Sequence, residues 1–416
     1  MPPRSFDCII IGGGPAGSMA AYALAGCGVN VAILEGKDPS RAKVCGGGLQ
    51  LKAVHILPFD VKEVVEREIY GIVYQRRLRD RFTRRYSSPI SYTVNRARFD
   101  NLLLKRAQEC GATLFLGEKA ISLEPAIGHT NNTRVFTERD VFDARVVVGA
   151  DGAGSIVRSA LNPGGIAPVQ LGLICELKKE RGNAHIPEDL FVIDWGTVPG
   201  GYAWIFPKEA TLTAGAMVPR ELAGTLNVYL RAFLERQGLK ISEEQRLLAH
   251  PIPSRRLGEP IASSWGVLAG DAAGLTDPFT GEGLYYALRS GQIAAHHVEK
   301  FLTGGNGSLL DYEGEIDAGL MQEIIVAGKM RSFFNTFSSY IHNLYRKNDR
   351  LWYSFCEVLR GDRTLEGLRR IRSIPPKPVL RYLERFTSWY EARQISRFRG
   401  SVMFKSMLSK EEALRC

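Results

Sequence analysis

The sequence predicts an α/β fold in which a mostly parallel sheet is interleaved with an antiparallel-sheet domain and followed by a helical C-terminal region. Three observations carry this expectation. The chain opens on a strand–helix–strand unit. Apolar strands ending in glycine turns then recur far apart, at RVVVGA (145–150) and WGVLA (265–269). The stretches between them are rich in strands, with Ile69 to Thr93 alternating as an antiparallel sheet would, whereas the chain from Leu309 onward reads as mostly helical.

Taken in order, Phe6 to Gly12 (FDCIIIG) is a continuous apolar run, the pattern of a strand buried on both faces. Pro15 to Ala25 is a helix of small residues, and Val29 to Leu34 is the second strand, closing on Glu35. Arg96 to Cys110 carries Phe99, Leu102, Leu103, Leu104 and Ala107 at helical spacing. Ile69 to Thr93 and Val169 to Val218 read as antiparallel strands, and Arg220 to Gln237 as an amphipathic helix. The C-terminal helices break at Gly361 and at Pro375, Pro376 and Pro378. The expected division is a discontinuous first domain (1–57, 95–165 and 262–305), a sheet-rich second domain (58–94 and 166–261) and a helical region (306–416).

Composition narrows the function classes. The 416 residues, 45% of them hydrophobic, suffice for more than one core. Seven scattered cysteines form no C-x-x-C pair, so neither a zinc site nor a disulfide framework is expected, and a cytoplasmic setting is. No secretory leader, spanning helix or prenylation signal is read from the sequence. The net charge of +10 resides in the tail, where residues 329–416 hold 19 Lys and Arg against 8 Asp and Glu. Val379 to Met407 mixes Arg381, Arg385, Arg393, Arg397, Arg399 and Lys405 with Phe386, Trp389, Tyr390, Phe398 and Phe404. That mixture suits either a peripheral contact with an anionic membrane or a solvated helical cap; no nucleic-acid partner is expected. The seven histidines show no metal spacing, and His296–His297 is expected at the surface.

The first chemical motif is GGGPAG. Gly12 permits the tight turn, Gly14 admits a pyrophosphate close to the backbone, and Gly17 lets the helix pack on the strand. Pro15 and Ala16 open a helix whose free amides face phosphate, while Glu35, followed by Gly36, stands where a carboxylate accepts ribose hydroxyls. This fingerprint serves NAD and FAD alike.

Two later motifs separate those cofactors. One is GADGAGSIVR, with Asp151, Gly152, Ser155 and Arg158; the other is GDAAG followed by PFTGEG, with Gly270, Asp271, Gly281, Gly283 and then Leu284. With the first motif, they resemble the p-hydroxybenzoate hydroxylase-like flavoproteins. The resemblance implies FAD, with Asp271 holding its ribityl and phosphate region and Gly281 and Gly283 facing the flavin ring. It also places Asp151 near the cofactor and Arg96 of NRARFD at the family's helix-opening arginine.

Two further segments, VCGGG (44–48) and P-x-x-Y-x-W-x-F-P (199–207), resemble the geranylgeranyl reductase family. In that family the cysteine loop, here Cys45, Gly46 and Gly47, borders the flavin, and the aromatic strand lines an isoprenoid pocket. By period two, Tyr202, Trp204 and Phe206 share one strand face. Where the family often carries G-x-G after this strand, the chain has Gly215, Ala216 and Met217. The implied activity is saturation of C=C bonds in a geranylgeranyl or polyprenyl chain, whose head group fits a glycerophospholipid, a chlorophyll precursor, a quinone or a free diphosphate alike, with NADPH or ferredoxin as electron donor. Cys45, Tyr202 and an ordered water are the candidate proton donors, and Cys45 reads equally as pocket lining. The competing readings are a flavin monooxygenase or halogenase, whose W-x-W-x-I-P motif differs from Y-x-W-x-F-P, and an electron-transfer flavoprotein reducing a quinone.

Overall fold

A computed structural model describes residues 3–41, 43–126, 132–162, 164–165, 168–179, 186–242, 244–304, 307–364, 377–401 and 406–407. Its first layer is the opening strand–helix–strand unit. Arg4–Ile11 pairs in parallel with Val31–Glu35 on one side and with Val141–Gly149 on the other. Thr113–Leu116 extends this parallel sheet, and Thr133–Thr137 and Ala120–Glu124 add two antiparallel strands at the opposite edge. The strand Val141–Gly149 serves two partners: its first half pairs with Thr133–Thr137, and its last three residues pair in parallel with Gly266–Leu268. That split draws residues from the start, middle and late part of the chain to one edge, with Gly12, Ala150 and Gly270 following the strand ends.

Helix Pro15–Gly26 starts on a proline and is buried along Ala16, Gly17, Ala20 and Ala21. Its small side chains admit helix Leu284–Leu302 at close range; a β-carbon at Gly291 would lie 2.3 Å from the Ala16 carbonyl oxygen.

The second sheet runs in the order 248–253, 168–178, 211–219, 202–207, 190–195, 71–76 and 80–85. Every pairing is antiparallel except Gly71–Arg76 with Leu190–Trp195, which is parallel. The 69–93 stretch is therefore divided: its hairpin joins this sheet, while Ser91–Val94 pairs with Gly48–Gln50 and Val65–Ile69 in a three-stranded sheet. Period-two alternation gives the large sheet two faces. Val192, Ala203, Ile205, Ala214 and Ala216 pack on Tyr229, Leu230, Phe233 and Leu234 of helix Leu226–Arg236. The expected helix from Arg220 begins as a 3-10 turn, Arg220–Thr225.

The opposite face is covered by the C-terminal helices Leu320–Thr336, Ser338–Lys347 and Asp349–Arg360, the last ending at Gly361 with φ +83°. Trp352 is fully buried there and donates from Nε1 to the Arg85 carbonyl at 2.8 Å. Arg346 pairs with Asp80, and Arg360 Nη1 donates to the Pro89 carbonyl at 2.6 Å, so polar contacts clamp the helices to the sheet edge.

Two expectations change or fall outside this frame. His296 is exposed, but His297 is buried, with Nε2 2.9 Å from Glu315 Oε2, because helix Asp311–Ala318 packs over it. Pro375, Pro376, Phe404 and Lys405, like His129 and His185, lie outside the described residues.

Candidate functional site

A cavity of about 900 Å³ begins at the carboxyl ends of the parallel strands and continues beneath the second sheet. Where parallel strands end, ligands enter open α/β sheets. Gly12, with φ +103°, turns the chain there, and a β-carbon at Gly17 would stand 2.0 Å from the Gly12 carbonyl oxygen. Gly14 differs, because nothing lies within 4 Å of the position its β-carbon would take. It precedes a helix N-terminus without a side-chain cap, which leaves amides for an anion. Glu35 accepts from the Gly13 amide at 2.9 Å and the Lys37 amide at 2.8 Å, which fixes its carboxylate at the strand end. Gly12, Gly14, Pro15, Ala16, Glu35 and Gly36 all line the cavity.

The two later motifs meet across this space. Arg158 donates to the backbone carbonyls of Asp271, at 3.3 Å, and Ala272, at 3.2 Å, and also to that of Ala153. One buried guanidinium thus joins the GADGAG and GDAAG loops. Asp151 Oδ2 accepts from the Ile156 amide at 2.8 Å, while its Oδ1 is buried without a partner among the described residues. Burial raises the Asp151 pKa, opposed by its hydrogen bonds. Asp271 takes a hydrogen bond from Thr276 Oγ1 at 3.0 Å and faces His250 Nε2 at 3.4 Å. His250 was not anticipated; it reaches this site only because Leu248–Pro253 is an edge strand of the other sheet. An open glycine cradle, an orphaned carboxylate oxygen and an uncapped helix end fit a dinucleotide with a pyrophosphate at its centre.

The cysteine loop lies between the two halves. A β-carbon at Gly46 would come within 2.9 Å of Phe206 and of Trp204 Nε1, so only glycine lets this backbone run against the aromatic strand. Cys45 Sγ receives the Gly47 amide at 3.4 Å and lies within hydrogen-bonding contact of the Arg96 guanidinium. Arg96 in turn forks onto Asp100 at 2.9 and 3.0 Å, and Lys43 reaches the same carboxylate at 2.9 Å. Burial opposes ionisation of Asp100, but the two cations hold its carboxyl below the ordinary range. The i,i+4 spacing of Arg96 and Asp100 was a readable signal for this pair.

Tyr202, Trp204 and Phe206 line the cavity from one strand face, with successive ring centroids 5.3 and 6.1 Å apart. Trp204 fits because its cross-strand neighbour is Gly215; a β-carbon there would come within 2.3 Å of the indole. Met217, at the end of the departing G-A-M segment, fills the space beside Gly281 instead. Tyr202 donates its hydroxyl to the Thr280 carbonyl, and burial drives its pKa upward. The wall extends across the adjacent strands: Phe191 stacks 3.9 Å from Phe206, and Trp195 stacks 4.9 Å from Tyr74. Phe191, Ile193 and Trp195 also alternate in sequence, so this part was legible. The closing wall was not, since Phe334, Tyr345, Phe355 and Leu359 come from the C-terminal helices.

Gly47, Gly152, Gly270, Gly281, Gly283 and Leu284 also border the cavity. Gly17 does not appear along it, because it packs under the turn.

Residues 5–169 match the model of an FAD-binding domain family. The chain is 31% identical over 329 residues to a geranylgeranyl diphosphate reductase of Rhodobacter capsulatus, covering 76% of this chain and 80% of that protein. It is 29% identical over 309 residues to a digeranylgeranylglycerophospholipid reductase of Thermoplasma volcanium, covering 70% and 77% respectively. A solved geranylgeranyl bacteriochlorophyll reductase-like protein of Thermoplasma acidophilum shares the fold, with TM-score 0.71 at 20% identity over 88% of this chain and 99% of that one. With this coverage, and with both signature segments facing one cavity, the chain belongs to the geranylgeranyl reductase family of FAD-dependent oxidoreductases.

Proposed function

We propose that the protein saturates C=C bonds of a geranylgeranyl or longer polyprenyl chain. The observation that carries this reading is the continuity of one cavity from the glycine cradle to an aromatic wall roofed by apolar helices. A prenyl chain has no polar handles, and apolar burial at about 25 cal/mol per Å² supplies its binding. Such a wall binds every isoprene unit alike, which permits stepwise reduction of one chain. The names of the two reductase relatives support the same class of substrate.

Gly14, the helix amides behind it, Glu35, Asp151 and Asp271 would hold FAD, which when bound supplies the hydride. The chain's own residues then exclude water and place a proton. Of the two side-chain candidates, Cys45 is favoured over Tyr202. The Tyr202 hydroxyl is committed to the Thr280 carbonyl and its burial opposes ionisation, whereas Cys45 stands beside Arg96 on the loop nearest the aromatic strand.

Peripheral membrane contact through the tail belongs to the same proposal. Helix Lys377–Arg399 turns Thr387 and Glu391 inward and leaves Arg381, Tyr382, Arg385, Trp389 and Arg393 exposed. Among the described residues, no helix is long and apolar enough to cross a membrane. Flotation with anionic vesicles tests the contact; equal absence of binding by the full chain and by an Arg381/Arg385/Arg393 triple glutamine variant rejects it.

The activity itself is tested by supplying dithionite-reduced holoprotein, without oxygen, with geranylgeranyl compounds of different head groups. Product masses should rise by two for each bond saturated. Unchanged prenyl chains together with rapid reoxidation by a quinone, or hydroxylated products once oxygen is admitted, would replace the reductase reading with one of its rivals.

A further inference from the structure

One turn, residues 276–283, touches both ends of the cavity. At its start Thr276 Oγ1 donates to Asp271 Oδ1 at 3.0 Å, and a β-carbon at Gly283 would lie 3.6 Å from the same oxygen. At its tip the Thr280 carbonyl accepts the Tyr202 hydroxyl. A β-carbon at Gly281 would lie 3.5 Å from that hydroxyl and 3.0 Å from Met217 Sδ. Tyr202 and Met217 are register partners on adjacent strands, so the tip rests on the aromatic sheet through two neighbouring side chains.

The turn is braced internally. The Asp277 carboxylate accepts from the Phe279 amide and from Thr280 Oγ1, each at 2.6 Å. The Asp277 carbonyl accepts from the Gly281 amide and the Asp277 amide donates to the Glu282 carbonyl, both at 2.9 Å. A braced turn held at Thr280 is thereby also held where it meets Asp271. Helix Leu284–Leu302 follows directly; its N-terminus has no side-chain cap and borders the cavity at Gly283 and Leu284. Tyr202 has a foot on each side of this arrangement. Its ring lines the cavity 5.3 Å from the Trp204 ring, and its hydroxyl holds the turn.

Resting on the reductase reading above, we infer that Tyr202 is a positioning residue that couples chain binding at the aromatic end to the redox potential of the flavin at the other. An apolar chain lying against the ring fixes the rotamer whose hydroxyl holds the Thr280 carbonyl, and the turn then fixes Asp271 and the helix end. An uncapped helix N-terminus favours negative charge, which a flavin gains on reduction. Chain binding therefore raises the flavin midpoint potential, so that electrons are taken up most readily when a chain is in place. The coupling is reciprocal: reduction of the flavin tightens chain binding by the same factor. Tyr202 does this without giving up its proton.

The probe is the fully saturated twenty-carbon prenyl alcohol, which presents a chain but no bond to reduce. Redox titration of the holoprotein without oxygen should give a midpoint potential about 30 mV higher with the probe than without it, which for a two-electron couple corresponds to about tenfold tighter binding to the reduced form. Fluorescence titration of oxidised and dithionite-reduced protein with the probe measures the same factor independently. Tyr202→Phe keeps the ring and removes the bond to Thr280; it should retain flavin and bind the probe in the oxidised state as wild type does, while the shift and the affinity ratio both vanish. Trp204→Phe, on the same wall but with no bond to the turn, should weaken the probe and keep the shift at saturation. A shift equal in wild type and Tyr202→Phe, or none in a wild type that binds the probe, overturns the coupling; reduction of geranylgeranyl compounds by the same preparation then leaves the reductase reading standing. If the shift depends on Tyr202 but no geranylgeranyl compound is reduced, the coupling stands and the reductase reading fails. A probe that does not bind at all overturns both.

Discussion

The two ends of the cavity are built on different principles. At the cofactor end the determinants are backbone: a glycine with φ +103°, a helix N-terminus and a carboxylate held by two amides. At the aromatic end they are side chains from three strands within residues 71–207 and three helices within residues 320–360, meeting only through packing. The first end tolerates almost no change at its turns, and each turn is dictated locally although the strands that carry them come from the start, middle and late part of the chain. The second accepts volume-conserving changes but fails if its roof shifts.

The sharpest way to break this contrast is at the first motif itself. Gly14→Val should leave a folded chain that holds no flavin, since its side chain enters open space in an extended backbone conformation, φ −78° and ψ −176°. Gly17→Val should lose fold and flavin together, because its β-carbon collides with the Gly12 carbonyl. Absorbance near 450 nm and a thermal melt, read on both, check the pair; equal melting temperatures would show that the two glycines do the same work.

Trp352→Ala probes the roof from a distance. Emptying this fully buried site and abolishing its bond to the Arg85 carbonyl should cost about 3–5 kcal/mol in urea unfolding. Flavin content should persist, and prenyl binding should weaken. Loss of flavin in a folded variant would show that the two ends are not separable.

Asp194 ties the turn of the aromatic strands to Leu78 and Tyr229, with its carboxylate accepting from the Leu78 amide at 2.7 Å and the Tyr229 hydroxyl at 2.7 Å. Burial pushes its pKa up to about 6, against the pull of those hydrogen bonds. A pKa raised on folding means the group's stabilisation is complete below its unfolded value, about 4, and is lost as pH rises through about 6. Wild type should therefore lose up to about 3 kcal/mol relative to Asp194→Asn across that window and no more above it. Urea midpoints at several pH values give the difference; a pH-independent gap would mean that Asp194 is ionised throughout.

The smallest effect belongs to the aromatic wall. Trp204→Ala should raise KM about tenfold more for a twenty-carbon than for a ten-carbon prenyl substrate, the worth of about 50 Å² of lost apolar contact, with flavin retained. Equal changes for both lengths would remove Trp204 from the chain-binding surface.

What could be read from the chain follows the same division. GGGPAG, GADGAGSIVR and GDAAG were legible because each joins a strand to a turn through residues adjacent in sequence, and local sterics dictate such turns. The face shared by Tyr202, Trp204 and Phe206 was legible because a strand has a period of two. By itself the sequence determined the order of strands and helices, the residue types of the cofactor loops and the aromatic content of one strand. Only the tertiary structure decided that His250 faces Asp271, that Arg158 joins two loops, that His297 is buried and that the basic C-terminal helices roof the cavity. Each of these depends on which sheet edge or helix face meets another, and such pairings are selected by the packing of whole surfaces rather than by any local pattern.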